Sequence, residues 1–192
     1  MKFSLIPILL LLVTTTAYAQ NAINVRTGNT STTHDSTYAC SGSTIFFCVP
    51  DTATGNSYQW QVDMGAGFTN VSNEDYDGSL ADTLMLTGFP TSYYGYKYRC
   101  IITNNSVSTI SGEQYLIIQS EWTGAVSNAW DDAANWSCNV VPDANTDVVI
   151  KYIATFQPIV NSNAFCRGIR LEPATNVIIN GGFLLYSSGK NL

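Results

Sequence analysis

"YYGYKYRC", residues 93–100, is the stretch that decides how this chain is read. Tyr94, Tyr96, Tyr98 and Cys100 stand two apart, with Lys97 and Arg99 interleaved. In a strand, side chains two apart share a face. The tyrosines and the cysteine then point one way, the two cations the other, and the pattern runs on through Ile102. Three roles fit: an aromatic binding platform, a catalytic tyrosine group, or a strand that fills a core. A catalytic tyrosine needs a base or a perturbing charge in its own pocket, and the neighbouring residues suggest none. Core filling is the expected role, with Tyr96 and Cys100 on the face of Tyr98, pointing inward or toward one end of the fold, and Lys97 and Arg99 in solvent.

The segments on either side have the same texture. "STIFFCV" puts Ile45, Phe47 and Val49 on one face, and "SYQWQVDM" does so with Tyr58, Trp60 and Val62. Gly65-Ala66-Gly67 turns the chain into "FTNV". "SLADTLMLTGF" aligns Leu84 with Leu86, and "EQYLIIQ" closes the run. Short alternating strands between turn signals mark a sandwich or a barrel. No segment sustains the spacing of an amphipathic helix. Charged residues are only 11% of the chain, and Ser, Thr, Asn and Gly carry the polarity, as on exposed sheet faces and in long turns. The chain is read as all-β.

Met1-Lys2, the apolar run Leu5–Val13 and Ala17-Tyr18-Ala19 before Gln20 make the three parts of a secretory signal peptide, residues 1–19. A membrane anchor is the competing reading, but the run is well short of the roughly 20 residues a span needs. No later stretch is long and apolar enough, so no membrane span is expected after cleavage. Without residues 1–19, 7 basic residues face 14 acidic ones. Such a surface repels phosphate backbones, so no nucleic-acid partner is expected. "RTGNTSTTHDST", residues 26–37, reads as the end of a flexible lead-in spanning 20–37. Asn-x-Ser/Thr sequons occur at Asn29, Asn70, Asn104 and Asn135.

Five cysteines in an exported chain are disulfide candidates, and the odd number leaves at least one over. Metal binding competes weakly: there is no Cys-x-x-Cys, and the one histidine, His34, lies in a polar stretch. No cofactor or metal site is expected. Asp131, Asp132, Asp143 and Asp147 do not form the loop pattern of a calcium site.

Taken in order, "YACSGSTIFF", "YQWQVDMGAGFTNV", "DTLMLTGF" and "YGYKYRCIITN" resemble an immunoglobulin-like domain, more narrowly the Ig-like modules of secreted and cell-surface proteins of Bacteroidota. The resemblance covers residues 38–119. Trp60 stands 12 residues after Cys48, and Tyr-x-Cys ends 40 residues after Trp60. It implies that Trp60 is a core residue and that Tyr98 is the tyrosine corner, bonding backbone through its hydroxyl. It also implies a bridge from Cys48 to Cys100 between the sheets, with Cys40 left over. Alternation disagrees: with Ile45, Phe47 and Val49 inward, Cys48 points out. A bulge could turn it inward, or Cys40 could compete.

After Gln119 the texture changes. Trp122, Trp130 and Trp136 fall within fifteen residues, followed by "DVVI", "PIV", "CRGIRLEP", "NVIING" and "GFLLYSSG". This run, 120–192, resembles Trp-rich units that open β-solenoid-like regions in bacterial exported proteins. The resemblance makes it a small β-rich, solenoid-like module. Trp130 and Trp136 are expected to cap its first rung, and Cys138 and Cys166 to pair and staple that cap to the next strand. The competing role for Trp122, Trp130 and Trp136, with Tyr93 and Tyr94, is stacking on sugar rings. Asp131 and Asp132 are adjacent and would face opposite ways on a strand. No hydrolase, metalloprotease or phosphate-loop motif is present. The expected function is a non-catalytic exported module, for adhesion or as a spacer at the cell surface, its partner a surface protein or a glycan. A carbohydrate-binding protein is the alternative.

Overall fold

A computed structural model of the chain describes residues 24–27, 30–32, 36–50, 53–74 and 76–189. The expected signal peptide and His34 lie outside them. The described residues are almost entirely strand and turn, so the fold is all-β.

The strands of the first module are β1 (Asn24–Thr27), β2 (Thr30–Thr32), β3 (Ser36–Ala39), β4 (Thr44–Cys48), β5 (Ser57–Asp63), β6 (Phe68–Asn70), β7 (Thr83–Thr87), β8 (Lys97–Asn104), β9 (Val107–Ile110) and β10 (Gln114–Trp122). One sheet has the order β2-β1-β4-β7. The facing sheet runs β10-β8-β5-β6, with β3 parallel to β10 and β9 antiparallel to β8. Two packed antiparallel sheets, with tryptophan on one inner strand and Tyr-x-Cys on its neighbour, form an Ig-like sandwich. Trp60 of β5 lies directly opposite Cys100 of β8. The stretch 20–37 is not a plain lead-in: β1 and β2 lie within it, and β3 begins there.

Alternation decides the core. Ile45, Phe47, Val49, Trp60, Val62, Leu84, Leu86, Tyr98, Cys100 and Ile102 are buried, as their two-residue spacing requires. Phe47 stacks on Tyr98 with ring centroids 4.6 Å apart and meets Trp60 at 6.4 Å. The Trp60 indole N–H donates to the Ala81 carbonyl at 2.9 Å. The Asp63 carboxylate accepts the Gly65 and Gly67 amides of the 63–67 turn, which hold its pKa below the usual carboxylate value.

The second module contains β11 (Asp147–Ile150), β12 (Ile159–Val160), β13 (Ala164–Cys166), β14 (Gly168–Leu171), β15 (Ile178–Ile179) and β16 (Leu185–Ser187). The ladders these strands make are all parallel, and an isolated antiparallel bridge joins Trp122 to Trp136. β11 lies on the end of β10, Gln119 to Trp122, and β14 lies on β11. β15 lies on β12, and β16 on β13. Strands 147–166 thus form one layer and strands 168–187 the next, three strands to each.

The boundary expected between residues 119 and 120 falls inside a strand. β10 runs unbroken from Gln114 to Trp122. Its Leu116 and Ile118 enter the sandwich core, and its Trp122 enters a second core with Trp130, Trp136, Val148, Ile150, Val160, Ala164 and Cys166. One face of one strand feeds both cores, with buried Ser120 between them.

Candidate functional site

Polar chemistry converges where the two modules meet. Cys40, just after β3, is bonded to Cys138, with Cα atoms 5.4 Å apart and a sequence separation of 98. Both pairings expected from the sequence are therefore corrected. Cys48 does not reach Cys100, because β4 keeps strict alternation: Ile45 and Phe47 take the inward positions and leave Cys48 on the outer side of its sheet. Phe47, rather than a cysteine, packs beside Tyr98. Cys138 is not joined to Cys166, which lies wholly buried in the second core. Cys40 is not left over. Cys48, Cys100 and Cys166 are free thiols. Burial pushes the Cys100 thiol up to about 12 and the Cys166 thiol up to about 11.

Beside the bridge, Tyr94 reaches across from the first module. Its hydroxyl donates to Asp147 Oδ2 at 2.7 Å, and Asp147 Oδ1 lies 3.4 Å from the Arg167 guanidinium. Arg167 sits over the Tyr94 ring at 3.9 Å. Burial, then the bond to Asp147, raises the Tyr94 pKa above its usual value. Thr91 donates to Asp143 Oδ2 at 2.6 Å, and Asp143 Oδ1 accepts from Asn145 and Thr146 within its own turn. A groove of about 360 Å³ flanks the disulfide, lined by Tyr38, Ser43, Thr44, Gln119, Glu121 and Ser137.

The three tryptophans are each 1% exposed, which removes them as sugar-stacking surfaces. Trp136 meets Trp130 edge-on at 4.7 Å and Trp122 at 5.0 Å. Trp122 donates to the Phe156 carbonyl and Trp136 to the Trp130 carbonyl, at 2.7 and 2.8 Å. The role that sequence reasoning missed is that of Asn135, read from the sequence only as a sequon and as a possible partner of sugar hydroxyls. It is completely buried, accepts from the Val126 and Ser127 amides, and donates to Ser127 Oγ and the Ala129 carbonyl. The "NWS" triplet looks like a glycosylation sequon, yet its asparagine is the internal clamp of the tryptophan loop. Its place between Trp130 and Trp136 was the only available signal.

Tyr98 is buried as expected, but among the described residues its hydroxyl has no hydrogen-bond partner, so no tyrosine-corner bond is seen there. Its ring is held by Phe47 and, edge-on at 6.0 Å, by Tyr76. Tyr93 stacks on Tyr96 at 4.7 Å. The four aspartates of the second module are dispersed: Asp131 accepts from Ser162, Asp132 caps the short helical turn Ala133–Asn135, and Asp143 and Asp147 face the seam. Among the described residues, no three acidic, Cys or His groups gather as a metal site, and no helix is long and apolar enough to cross a membrane.

Residues 121–188 match the family profile of a domain of unknown function, DUF8693. No curated protein matches the chain. Among solved structures, the N-terminal four Ig domains of Dscam1 isoform 4.44 are similar at 18% identity and a TM-score of 0.38, over 52% of this chain and 27% of that one. The N-terminal eight Ig domains of Down Syndrome Cell Adhesion Molecule isoform 1.30.30 are similar at 14% identity and a TM-score of 0.38, over 52% of this chain and 13% of that one.

Proposed function

We propose that this chain is an exported, non-catalytic module pair that works at the cell surface as a rigid spacer or adhesion element. In this reading the second module is the opening of a β-solenoid, and the whole is a surface-protein segment of the kind found in Bacteroidota. The observation that carries it is the joint. A shared strand, a disulfide and the Tyr94–Asp147–Arg167 contact fuse two architectures that would otherwise swing on a linker. Disulfides persist in oxidising compartments, which fits export. A rigid joint transmits position and force; hinged modules are the usual arrangement where the parts must close on a substrate. The four aspartates of the second module are engaged by Ser162, a helical-turn cap and the seam, which supports a non-catalytic role.

Beads carrying residues 20–192 should bind saturably to producing cells or to a defined host or matrix surface, or else small-angle X-ray scattering should fit one fixed arrangement of the two modules. Scattering that demands an ensemble of orientations, together with no binding to any surface, would sink the proposal. So would turnover of a glycan or peptide by the purified chain.

A further inference from the structure

The second module covers its own core layer by layer, and the covering stops at β14, β15 and β16. In the lower layer Val148 and Ile150 are 1% and 0% exposed, and Val160 is 0%. The residues stacked directly on them are Ile169, Leu171 and Ile179. These hold the same inward positions, yet they are 40%, 48% and 47% exposed. The free edge of β14 ends its sheet, and β15 and β16 each have a partner on one side only. Among the described residues, three strand edges without a partner and the apolar residues between them therefore lie at one end of the stack, where a strand edge is a template for further pairing.

The sequence says what fits there. Residue 147 pairs with 168 and residue 164 with 185, an offset of 21 at the two outer ladders, while β15 follows β12 at an offset of 19. "CRGIRL" at 166–171 is followed at the first of these offsets by "SSGKNL" at 187–192, so that Gly168 and Leu171 recur as Gly189 and Leu192. At this offset Lys190 corresponds in sequence to Ile169, and a lysine stem can cover apolar surface while its ammonium stays in water. Layers already formed also match like with like: Phe165 stacks on Tyr186 with centroids 5.1 Å apart, and Asn180 donates to Asn161. We propose that the β14–β15–β16 face is the docking surface for a further parallel coil of this same chain, the segment that begins at Gly189. The proposal rests on the reading of the second module as a stack of coils and not on any adhesive role.

The test compares residues 20–192 with a version in which residues 168–188 are repeated after Ser188. Hydrogen exchange at the amides of Ile169 to Leu171 should slow at least ten-fold in the extended protein. Binding of the apolar dye ANS should fall at least two-fold, and both proteins should be monomers by light scattering. Unchanged exchange and dye binding in a folded extended protein would overturn the proposal. So would a dimer of residues 20–192 in which these amides are already protected, since the face would then join two copies. Leu171→Asp provides a check that does not need the extension to fold. In residues 20–192 it should lower Tm by no more than a few degrees, because the face is open; loss of folding would mean that the face is already covered. Cell binding is not an input to any of these outcomes, so the surface role can fail while the docking face stands, and the reverse.

Discussion

At the scale of single residues, the cysteines give the sharpest expectations. Closing a loop of 98 residues restricts the unfolded chain by about 4–5 kcal/mol in the chain-entropy account. Cys40→Ser or Cys138→Ser should lower stability by an amount of that order, read from the urea midpoint. The three thiols differ in access. In the native protein a thiol reagent should titrate Cys48 rapidly and leave Cys100 and Cys166, both 0% exposed, until denaturant is added. Three rapid equivalents without denaturant would refute these positions. The buried thiols also set a pH dependence. Both folded pKa values lie above the ordinary 9.0, so the unfolded chain releases these protons first. Their contribution is complete below about pH 9 and is lost as pH rises from 9 towards 11–12. Cys100→Ala with Cys166→Ala should flatten the fall in stability that begins near pH 9. Asn135 serves two backbone amides at once, and leaving such groups buried without a partner costs about 1–3 kcal/mol each. Asn135→Ala should therefore destabilise by about 2–5 kcal/mol in urea unfolding. Asn135 should also remain unglycosylated in a glycosylating host, seen as an unmodified peptide by mass spectrometry. Gly124 has φ 52°, and a Cβ there would collide with the Phe156 carbonyl that accepts from Trp122.

At the scale of elements, the strand pattern of the first module was legible because a half-buried sheet imposes a period of two. Ile45, Phe47, Trp60, Val62, Leu84 and Leu86 were placed inward from spacing, Tyr98 from the Ig resemblance, and each is buried. The same rule argued against the Cys48–Cys100 bridge that the Ig resemblance implied, and the rule prevailed. The Cys40–Cys138 bridge was not legible: the two residues lie in different modules, and nothing local to either signals the other. The seam is equally non-local. Tyr94→Phe and Asp147→Asn, made singly and together, should show a coupling of about 0.5–2 kcal/mol in a double-mutant cycle, since the hydroxyl and the carboxylate are in direct contact. Additive effects would mean that the contact is incidental.

At the scale of the whole molecule, β10 is the controlling element. A strand that supplies Leu116 and Ile118 to one core and Trp122 to the other cannot leave one without exposing the second. Unfolding should be a single transition. In a Trp60→Phe variant, fluorescence of Trp122, Trp130 and Trp136 reports on the second module, while a tryptophan signal from Trp60 alone, with the other three replaced by Phe, reports on the first, and the two curves should coincide in urea. Separate midpoints would mean that the modules are merely tethered.

The sequence by itself determined the all-β class, the strand periodicity, the inward residues of the sandwich and the change of texture after Gln119. All of these follow from local chemistry, namely side-chain alternation, turn residues and composition. Only the tertiary structure decided which cysteines meet, that the tryptophans face one another rather than solvent, that Asn135 is a clamp, and that one strand serves both modules. The cysteine pairing depends on closing a loop of 98 residues, and the tryptophan contacts and the Asn135 clamp on how a short irregular loop folds onto the second core. Such closure is settled by the packing of whole faces, and no short stretch of sequence carries it.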